Sequence, residues 1–258
     1  MFFYFYDNFV NDKKYADDLQ KIEHRLIELG INGRIEKFSI LRNVIEMIND
    51  AIKKGAHTII AVGNDNTFLK LSDIVSNHDV TFGFIPLESS KVARILGINN
   101  AIEACNILSK RLIKKINIGK ANDHYFIASL SMPEVEKSQI ECDGKYKINF
   151  STHGELHVYN LGNFLEESDE KEWKLFSGSS NHLHMYLTPK NKASSLLKFF
   201  PSGKKEKDSI LRAKKIKITS SDVSLPVILD QTTTVKTPVN ITYKAKRISL
   251  IVGKDRKI

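Results

Sequence analysis

The chain has 258 residues, of which 41% are hydrophobic and 27% are charged, a balance typical of a soluble globular protein with one or two domains. Its apolar runs are too short to span a bilayer, and two cysteines are too few for a disulfide-rich secreted scaffold, so we expect a cytoplasmic protein. A net charge of +9 favours anionic partners such as nucleotides and anionic lipid headgroups.

Residues 1–111 alternate between the strand and helix patterns, which predicts an α/β domain with a parallel sheet. Strands are predicted at Phe2–Tyr6, Arg34–Phe38, Thr58–Val62 and Thr81–Ile85, and helices at 12–29, 41–54, 67–76, 90–96 and 99–110. The helical spacing places Ile27, Leu41 and Ile45 on buried faces.

Residues 112–258 change to short strands joined by polar turns, which predicts an all-β domain with a sandwich or barrel architecture. The strands are predicted at Ile113–Ile118, His124–Leu130, Lys145–Phe150, Glu155–Tyr159, His184–Leu187, Ala213–Ile218, Val227–Leu229, Val239–Tyr243 and Ile248–Val252. The last of them is a candidate to return to the first domain. Segments 166–180 and 201–208 are predicted to be exposed loops.

The most informative local pattern is the apolar run 59–62 followed by Gly63-Asn64-Asp65-Asn66-Thr67. It indicates a buried strand, a polar turn and the start of a helix. Backbone N–H groups at the carboxyl end of such a strand favour anionic ligands. Asp65 cannot bind a phosphate directly, but a carboxylate there can hold a metal ion or take a proton from a hydroxyl. Alternatively, Asp65 or Thr67 only caps the helix.

These residues resemble the GGDGT signature of the diacylglycerol kinase catalytic domain and its relatives, the bacterial lipid kinases, sphingosine kinases and NAD kinases. Downstream, Phe82–Leu87 and Ala93–Ile98 resemble the lipid-kinase segment G-x-I-P-L-G-T-x-N-D-F-A-R-x-L-G-I. Near the C-terminus, Leu211–Ile218 and Pro226–Asp230 resemble I-R-A-K-x-x-x-I and P-V-x-x-D-G-E. The matches keep the family's order from about residue 40 to residue 250.

The resemblance implies an ATP-NAD kinase-like α/β domain over residues 1–111 and a β-rich substrate domain over residues 112–258. It implies that the protein is an ATP-dependent lipid kinase, which uses Mg²⁺ and phosphorylates the hydroxyl of a diacylglycerol-like lipid. Asp65 and Asp230 are then the catalytic residues, and Asp65 is also the metal ligand. The residues implied in nucleotide binding are Gly63, Asn64, Asn66, Thr67, Ser89, Ser90, Lys91 and Arg94.

Further expectations concern partners. Lysine-rich stretches at 190–217 and 244–257 predict peripheral contact with the anionic inner face of a membrane, unless they only form a solvated surface. A homodimer is a further expectation. Nucleic acid is not expected, because the chain has no nucleic-acid motif and its basic runs are not interleaved with aromatic residues.

Departures from the family pattern support an alternative, a pseudokinase that binds nucleotide or lipid without turnover. Asn64 and Asn66 replace glycines, Glu88 places negative charge in the second phosphate motif, and Gln231-Thr232 replace Gly-Glu. We expect the two asparagines to tolerate positive φ, and Gly63 to need positive φ or a close backbone approach.

A third alternative is an NAD kinase, indicated by the similarity of residues 65–69 to D-G-T-F-L. Two site residues also have simpler interpretations, since Lys91 can pair with Glu88 and Asp230 can form an Asx turn. Both Asp65 and Asp230 are expected in polar turns outside the apolar core.

Overall fold

A computed structural model describes residues 1–39, 41–150, 153–160, 181–189, 209–221 and 223–258. The loops predicted at 166–180 and 201–208 lie outside these ranges. The chain divides into two compact units, whose bounds differ from the predicted 1–111 and 112–258. Unit 1 comprises Met1–Ile118 and Lys244–Ile258, and unit 2 comprises Gly119–Tyr243. Within the described ranges, no helix is both long and apolar enough to cross a membrane.

Unit 1 contains strands that alternate with helices, as predicted. Its strands are β1 (Phe2–Tyr6), β2 (Arg34–Lys37), β3 (Thr58–Gly63), β4 (Thr81–Pro86) and the start of β5 (Ile113–Ala121). Its α-helices are α1 (Ala16–Glu28), α2 (Val44–Lys53), α3 (Asp65–Val75), α4 (Lys91–Leu96) and α5 (Ala101–Lys110). Two short 3₁₀ segments, Asn8–Asn11 and Lys13–Tyr15, precede α1.

The strands of unit 1 form a parallel sheet in the order β2, β1, β3, β4. Every residue of β3 and β4 is buried, which is expected for apolar strands covered on both faces. Tyr6 pairs with Val62, and Gly63 pairs with Pro86, so the carboxyl ends of three strands lie side by side. The turns that follow these strands are therefore brought together at one edge of the sheet.

Three predicted core positions on helices are exposed instead. Helix α2 begins at Val44 because the Asn43 side chain caps it, accepting a hydrogen bond from the Ile45 N–H at 2.9 Å. Leu41 therefore precedes the helix and is 95% exposed, and Ile45 is 51% exposed. Ile27 on α1 is 63% exposed. Periodicity located these helices correctly, but it did not locate their first residues or the exact width of their buried faces.

Unit 2 consists of strands in its described part. These are β6 (His124–Phe126), β7 (Ser129–Met132), β8 (Ser138–Cys142), β9 (Tyr146–Asn149), β10 (Gly154–Tyr159), β11 (Leu183–Pro189), β12 (Ser209–Ala213), β13 (Lys215–Ser220), β14 (Pro226–Leu229), β15 (Thr233–Lys236) and the first part of β16 (Val239–Ile251). Strands β8, β12 and β15 were not predicted. The two strands predicted at 239–243 and 248–252 are one continuous strand, β16.

Two antiparallel sheets share one core in unit 2, which confirms the predicted sandwich-like class. One sheet has the order β12, β11, β10, β7, β14, β15, and the other contains β9, β8, β13 and the first part of β16. Leu130, Leu156 and Met185 from the first sheet pack in one cluster with Ile140 and Ile216 from the second. In unit 1, the last part of β16 pairs in parallel with β4 through Ser249 and Leu250.

Candidate functional site

The turn after β3 is organised by a capping box at the start of α3. The Asn64 side chain accepts a hydrogen bond from the Thr67 N–H at 3.1 Å, and the Thr67 hydroxyl accepts one from the Asn64 N–H at 3.2 Å. Each side chain thus satisfies a backbone donor that the first helical turn leaves open. Asn64 and Thr67 have a structural role here, whatever they contribute to a ligand.

The expectation of positive φ in this turn is wrong. Asn64 has φ −111°, Asn66 lies within α3, and Gly63 is not among the residues with positive φ. Gly63 is required for a different reason, because a Cβ at this position would lie 2.5 Å from the Thr67 Oγ1. The close neighbour is therefore the capping side chain and not the backbone of another turn.

Asp65 connects the turn after β3 to the turn before α4. Its Oδ1 accepts a hydrogen bond from the Ser90 hydroxyl, and its Oδ2 accepts one from the Lys91 N–H at 3.0 Å. A longer bond of 3.4 Å comes from the Val92 N–H. Ser90 is itself the N-cap of α4, since its Oγ accepts from the Ala93 N–H at 2.8 Å. The two turns that the sequence singled out are therefore joined through one half-buried carboxylate.

Two further acidic residues of unit 1 have partners around these turns. Asp7, at the end of β1, accepts a hydrogen bond from the Thr67 hydroxyl at 2.6 Å. Glu88, in the turn after β4, accepts one from the Tyr15 hydroxyl. The Tyr15 side chain also raises the pKa of Lys14, with smaller contributions from Asp12 and Glu88. The edge of the sheet thus carries the carboxylates of Asp7, Asp65 and Glu88.

Asp7 and Tyr15 were not predicted as members of this site. The signal for Asp7 was its position directly after β1, because the carboxyl ends of neighbouring parallel strands meet at one edge. The remaining predicted nucleotide contacts lie on or before α4. Ser89 and Arg94 are exposed, and Lys91 is half-buried. Glu88 has a partner in Tyr15, and the alternative in which Lys91 only pairs with Glu88 stays a prediction.

Asp230 lies in unit 2 and is buried, with 4% of its surface exposed. Its carboxylate accepts hydrogen bonds from the N–H groups of Ile127 at 2.7 Å, Ala128 at 2.9 Å and Ser129 at 2.8 Å. Asp230 lies in a turn as expected, but the expectation that it lies outside the core is wrong. These bonds hold the β14–β15 turn against the chain between β6 and β7.

The turn that carries Asp230 also has an unusual backbone. Asp230 and Gln231 have φ values of 47° and 58°, and the Thr232 N–H donates to the Leu229 carbonyl at 2.9 Å. This φ pattern is that of a type I′ turn, which suits a hairpin and usually contains glycine. The catalytic role of Asp230 stays a prediction, and its structural role is evident from its three hydrogen bonds.

The role of Asp65 as a magnesium ligand stays a prediction. Three protein donors contact its carboxylate, and an ionised carboxylate offers about four acceptor positions, so these contacts leave capacity for a further partner. Within the described ranges, no three His, Cys, Asp or Glu side chains are grouped so that they could hold a metal ion. The three donors show that the Asp65 carboxylate also suits the acceptance of hydrogen bonds or of a proton.

Comparison with known proteins supports the fold. No protein-family model matches the sequence, and no curated protein matches it. The chain is similar in structure to a diacylglycerol kinase from Bacillus anthracis strain Sterne, with a TM-score of 0.75, 17% identity and coverage of 98% of this chain and 97% of that one. Two putative diacylglycerol kinases from the same strain match with TM-scores of 0.75 and 0.73 at 14% and 15% identity, over 98% of this chain and 97% and 96% of theirs. The chain therefore has a diacylglycerol kinase-like fold.

Proposed function

We propose that this protein is an ATP-dependent lipid kinase that transfers a phosphoryl group to the hydroxyl of a diacylglycerol-like lipid. The likeness to diacylglycerol kinase structures supports the class of reaction. The observation that carries the proposal is that the Asp65 carboxylate accepts hydrogen bonds from Ser90 and Lys91. It thereby joins the two turns that resemble the lipid-kinase motifs.

The proposed reaction needs a group that takes a proton from the attacking alcohol. The lipid oxygen forms a bond to the γ-phosphorus of ATP, the bond from that phosphorus to the ADP oxygen breaks, and the hydroxyl proton passes to a carboxylate. Asp65 suits this role better than Asp230 does, because it is half-buried and its donors include a side-chain hydroxyl that a substrate hydroxyl could replace. Asp230 is buried and is held by three backbone N–H groups.

The proposed nucleotide site comprises the turn at Gly63–Thr67 and the segment from Ser89 to Arg94. Positive charge for the phosphates comes from Lys91 and Arg94, because lysine and arginine serve as phosphate partners when a glycine-rich loop is lacking. The carboxylates of Asp7 and Glu88 oppose phosphate binding. Their hydrogen bonds to Thr67 and Tyr15 disperse part of that negative charge.

A second candidate function is a kinase-fold protein that binds nucleotide or lipid without transferring phosphate. The specific observation in its favour is that polar groups of the turn at Gly63–Thr67 already form hydrogen bonds within the protein. Asn64 and Thr67 cap α3, and Asp65 is bonded to three donors of the next turn. A nucleotide would have to replace some of these bonds.

NAD kinase activity remains the third alternative, but the run that suggested it has another explanation. Phe68 and Leu69 are buried, and the Phe68 ring lies 4.8 Å from that of Phe82 and 5.2 Å from that of Phe84. Aromatic packing of α3 on the sheet is a sufficient reason for these residue types. The similarity to D-G-T-F-L therefore adds little weight to NAD as the acceptor.

The test is transfer of labelled γ-phosphate from ATP–Mg²⁺ to a panel of lipids and to NAD, with nucleotide binding measured separately by calorimetry. We expect a labelled lipid with the wild type, a loss with Asp65→Asn, and no change with Asp79→Asn, an exposed aspartate that serves as the control. Nucleotide binding without transfer to any acceptor would establish the second candidate. Labelled NAD without labelled lipid would establish the third.

A further inference from the structure

One sheet of unit 2 has an inward face in the core and an outward face that is rich in lysine. Along β13, Ile216 and Ile218 are buried whereas Lys215 and Lys217 are exposed. On β9, Lys147 is exposed and Ile148 packs against the core. Alternate residues of a strand point to opposite faces, so these three lysines share the outward face.

Strand register places these lysines close together. Lys147 is paired with Glu141, which is paired with Lys217, which in turn is paired with Asn240, so the four residues form one row across the sheet. Lys215 stands two residues from Lys217 on the same strand. Neighbouring strands lie about 4.8 Å apart, and so the ammonium groups can act on one partner at the same time.

Two more lysines lie at the end of this face, beside the turn between β8 and β9. Lys145 belongs to that turn, and Lys214 precedes β13 and donates its N–H to the Asp143 side chain at 3.0 Å. Both lysines are exposed. We define the lysine surface as the set formed by Lys145, Lys147, Lys214, Lys215 and Lys217.

The acidic residues of this region neutralise only part of its charge. Glu141 lies 3.8 Å from Lys147, and the Asp143 carboxylate accepts the N–H groups of Lys214 and Lys215. In the part of the chain that the structure describes, the ammonium groups of Lys215 and Lys217 form no ion pair. Five lysines against two acidic residues leave an excess of positive charge on one exposed face.

Tyr146 is 68% exposed on β9, the edge strand of its sheet, but it lies on the other face. It alternates with Lys147 and is paired with Cys142 of the core, so it does not belong to the lysine surface. The lysine surface is therefore defined by charge alone, and clustered lysines are the feature that binds an anionic membrane surface.

We propose that the lysine surface docks unit 2 onto an anionic lipid bilayer. The choice of a bilayer rests on the proposed function, since a lipid acceptor resides in a membrane. Charge complementarity favours this partner over a neutral surface. Single-stranded nucleic acid is disfavoured, because its binding platforms stack successive bases on several aromatic side chains, and the outward positions of β8, β9 and β13 carry no aromatic residue.

The experiment is co-sedimentation without nucleotide, using vesicles of phosphatidylcholine with or without phosphatidylserine. We expect binding to the anionic vesicles only, with release by added salt. Lys215→Gln/Lys217→Gln should weaken this binding about tenfold, because each lysine near an anionic surface contributes attraction that salt partly screens. The matched control is Lys53→Gln/Lys54→Gln, which removes two exposed lysines of unit 1 and should change binding less than about twofold.

Several outcomes would overturn the docking proposal. These are equal binding to both kinds of vesicle, equal losses in the two double variants, or binding of a single-stranded oligonucleotide that exceeds vesicle binding and is lost in Lys215→Gln/Lys217→Gln. Circular dichroism checks that each variant is folded. Phosphoryl transfer to a dispersed short-chain lipid is measured as well, because it distinguishes a failure of the docking proposal from a failure of the proposed kinase function. Vesicle binding without transfer would contradict only the proposed function, and transfer without vesicle binding would contradict only the docking.

Discussion

The Thr67 hydroxyl donates a hydrogen bond of 2.6 Å to the Asp7 carboxylate, which lies 60 positions earlier in the sequence. Thr67 at the same time accepts a hydrogen bond from the Asn64 N–H in the capping box. One buried hydroxyl therefore connects the end of β1 with the start of α3. The turn that resembles a nucleotide-binding signature thus also holds two elements of unit 1 together.

The capping box predicts different effects for the two asparagines of this turn. Asn64→Ala should lower the free energy of unfolding by about 1 kcal/mol, because it removes the oxygen that accepts the Thr67 N–H. Asn66→Ala is the control and should change it by less than about 0.5 kcal/mol, since Asn66 is exposed within α3. Urea unfolding measures both values. Equal losses in the two variants would contradict the assigned cap.

Gly63→Val should weaken ATP binding at least about tenfold and also destabilise unit 1, since overpacking of a close contact typically costs about 1–3 kcal/mol. The physical reason is that the new Cβ would lie 2.5 Å from the Thr67 Oγ1 and displace the cap. Calorimetry measures the affinity and urea unfolding the stability. Thr67→Ala should partly rescue Gly63→Ala, because it removes that oxygen. An unchanged ATP affinity in Gly63→Val would show that the nucleotide site lies elsewhere.

The two aspartates implied in catalysis should respond differently to the same change. Asp65→Asn should lower transfer by about a hundredfold, the usual scale for a general base, with a small loss of stability. Asp230→Asn should lower the free energy of unfolding by about 2 kcal/mol or more, because its amide NH₂ would face backbone N–H donors in a buried site. Activity per folded molecule, from initial rates and urea unfolding together, separates the two effects. A stable Asp230→Asn variant that lacks activity would restore Asp230 as a catalytic residue.

Stability should fall with acid because of His184, which is 3% exposed on β11. Burial, then the positive charge of Arg212 and then that of His182 together lower the pKa of His184 from 6.5 to about 4. A depressed pKa in the folded state means that the stabilising effect is complete above pH 6.5 and is lost as the pH falls toward about 4.

The loss should reach no more than about 3 kcal/mol, the free energy that corresponds to such a difference in pKa. His184→Gln should flatten the dependence of unfolding free energy on pH in this window, with His24→Gln as a control, since His24 is exposed on α1. Urea unfolding at several pH values makes the comparison. An equal slope in the wild type and His184→Gln would assign the acid sensitivity to other groups.

Much of the fold could be predicted from the sequence, because the relevant signals are local. The apolar runs of β3 and β4 match strands that are buried on both faces, and Gly30 and Gly55 follow α1 and α2 with φ values of 65° and 87°. The alternation of short strands in unit 2 likewise indicated a sandwich. One local signal was overlooked, namely Asp143-Gly144, whose positive φ values form the hairpin between β8 and β9.

The sequence alone determined which turns to examine, since a buried strand followed by a polar turn and a helix is a pattern of neighbouring residues. Only the tertiary structure decided what their side chains do. Asp7 meets Thr67 because β1 and β3 are adjacent, Asp65 meets Ser90 because β3 and β4 are adjacent, and Asp230 meets Ile127 across 103 positions. Strand order sets these partners, and strand order results from how the whole chain buries its apolar surface. No spacing within a single turn contains that information.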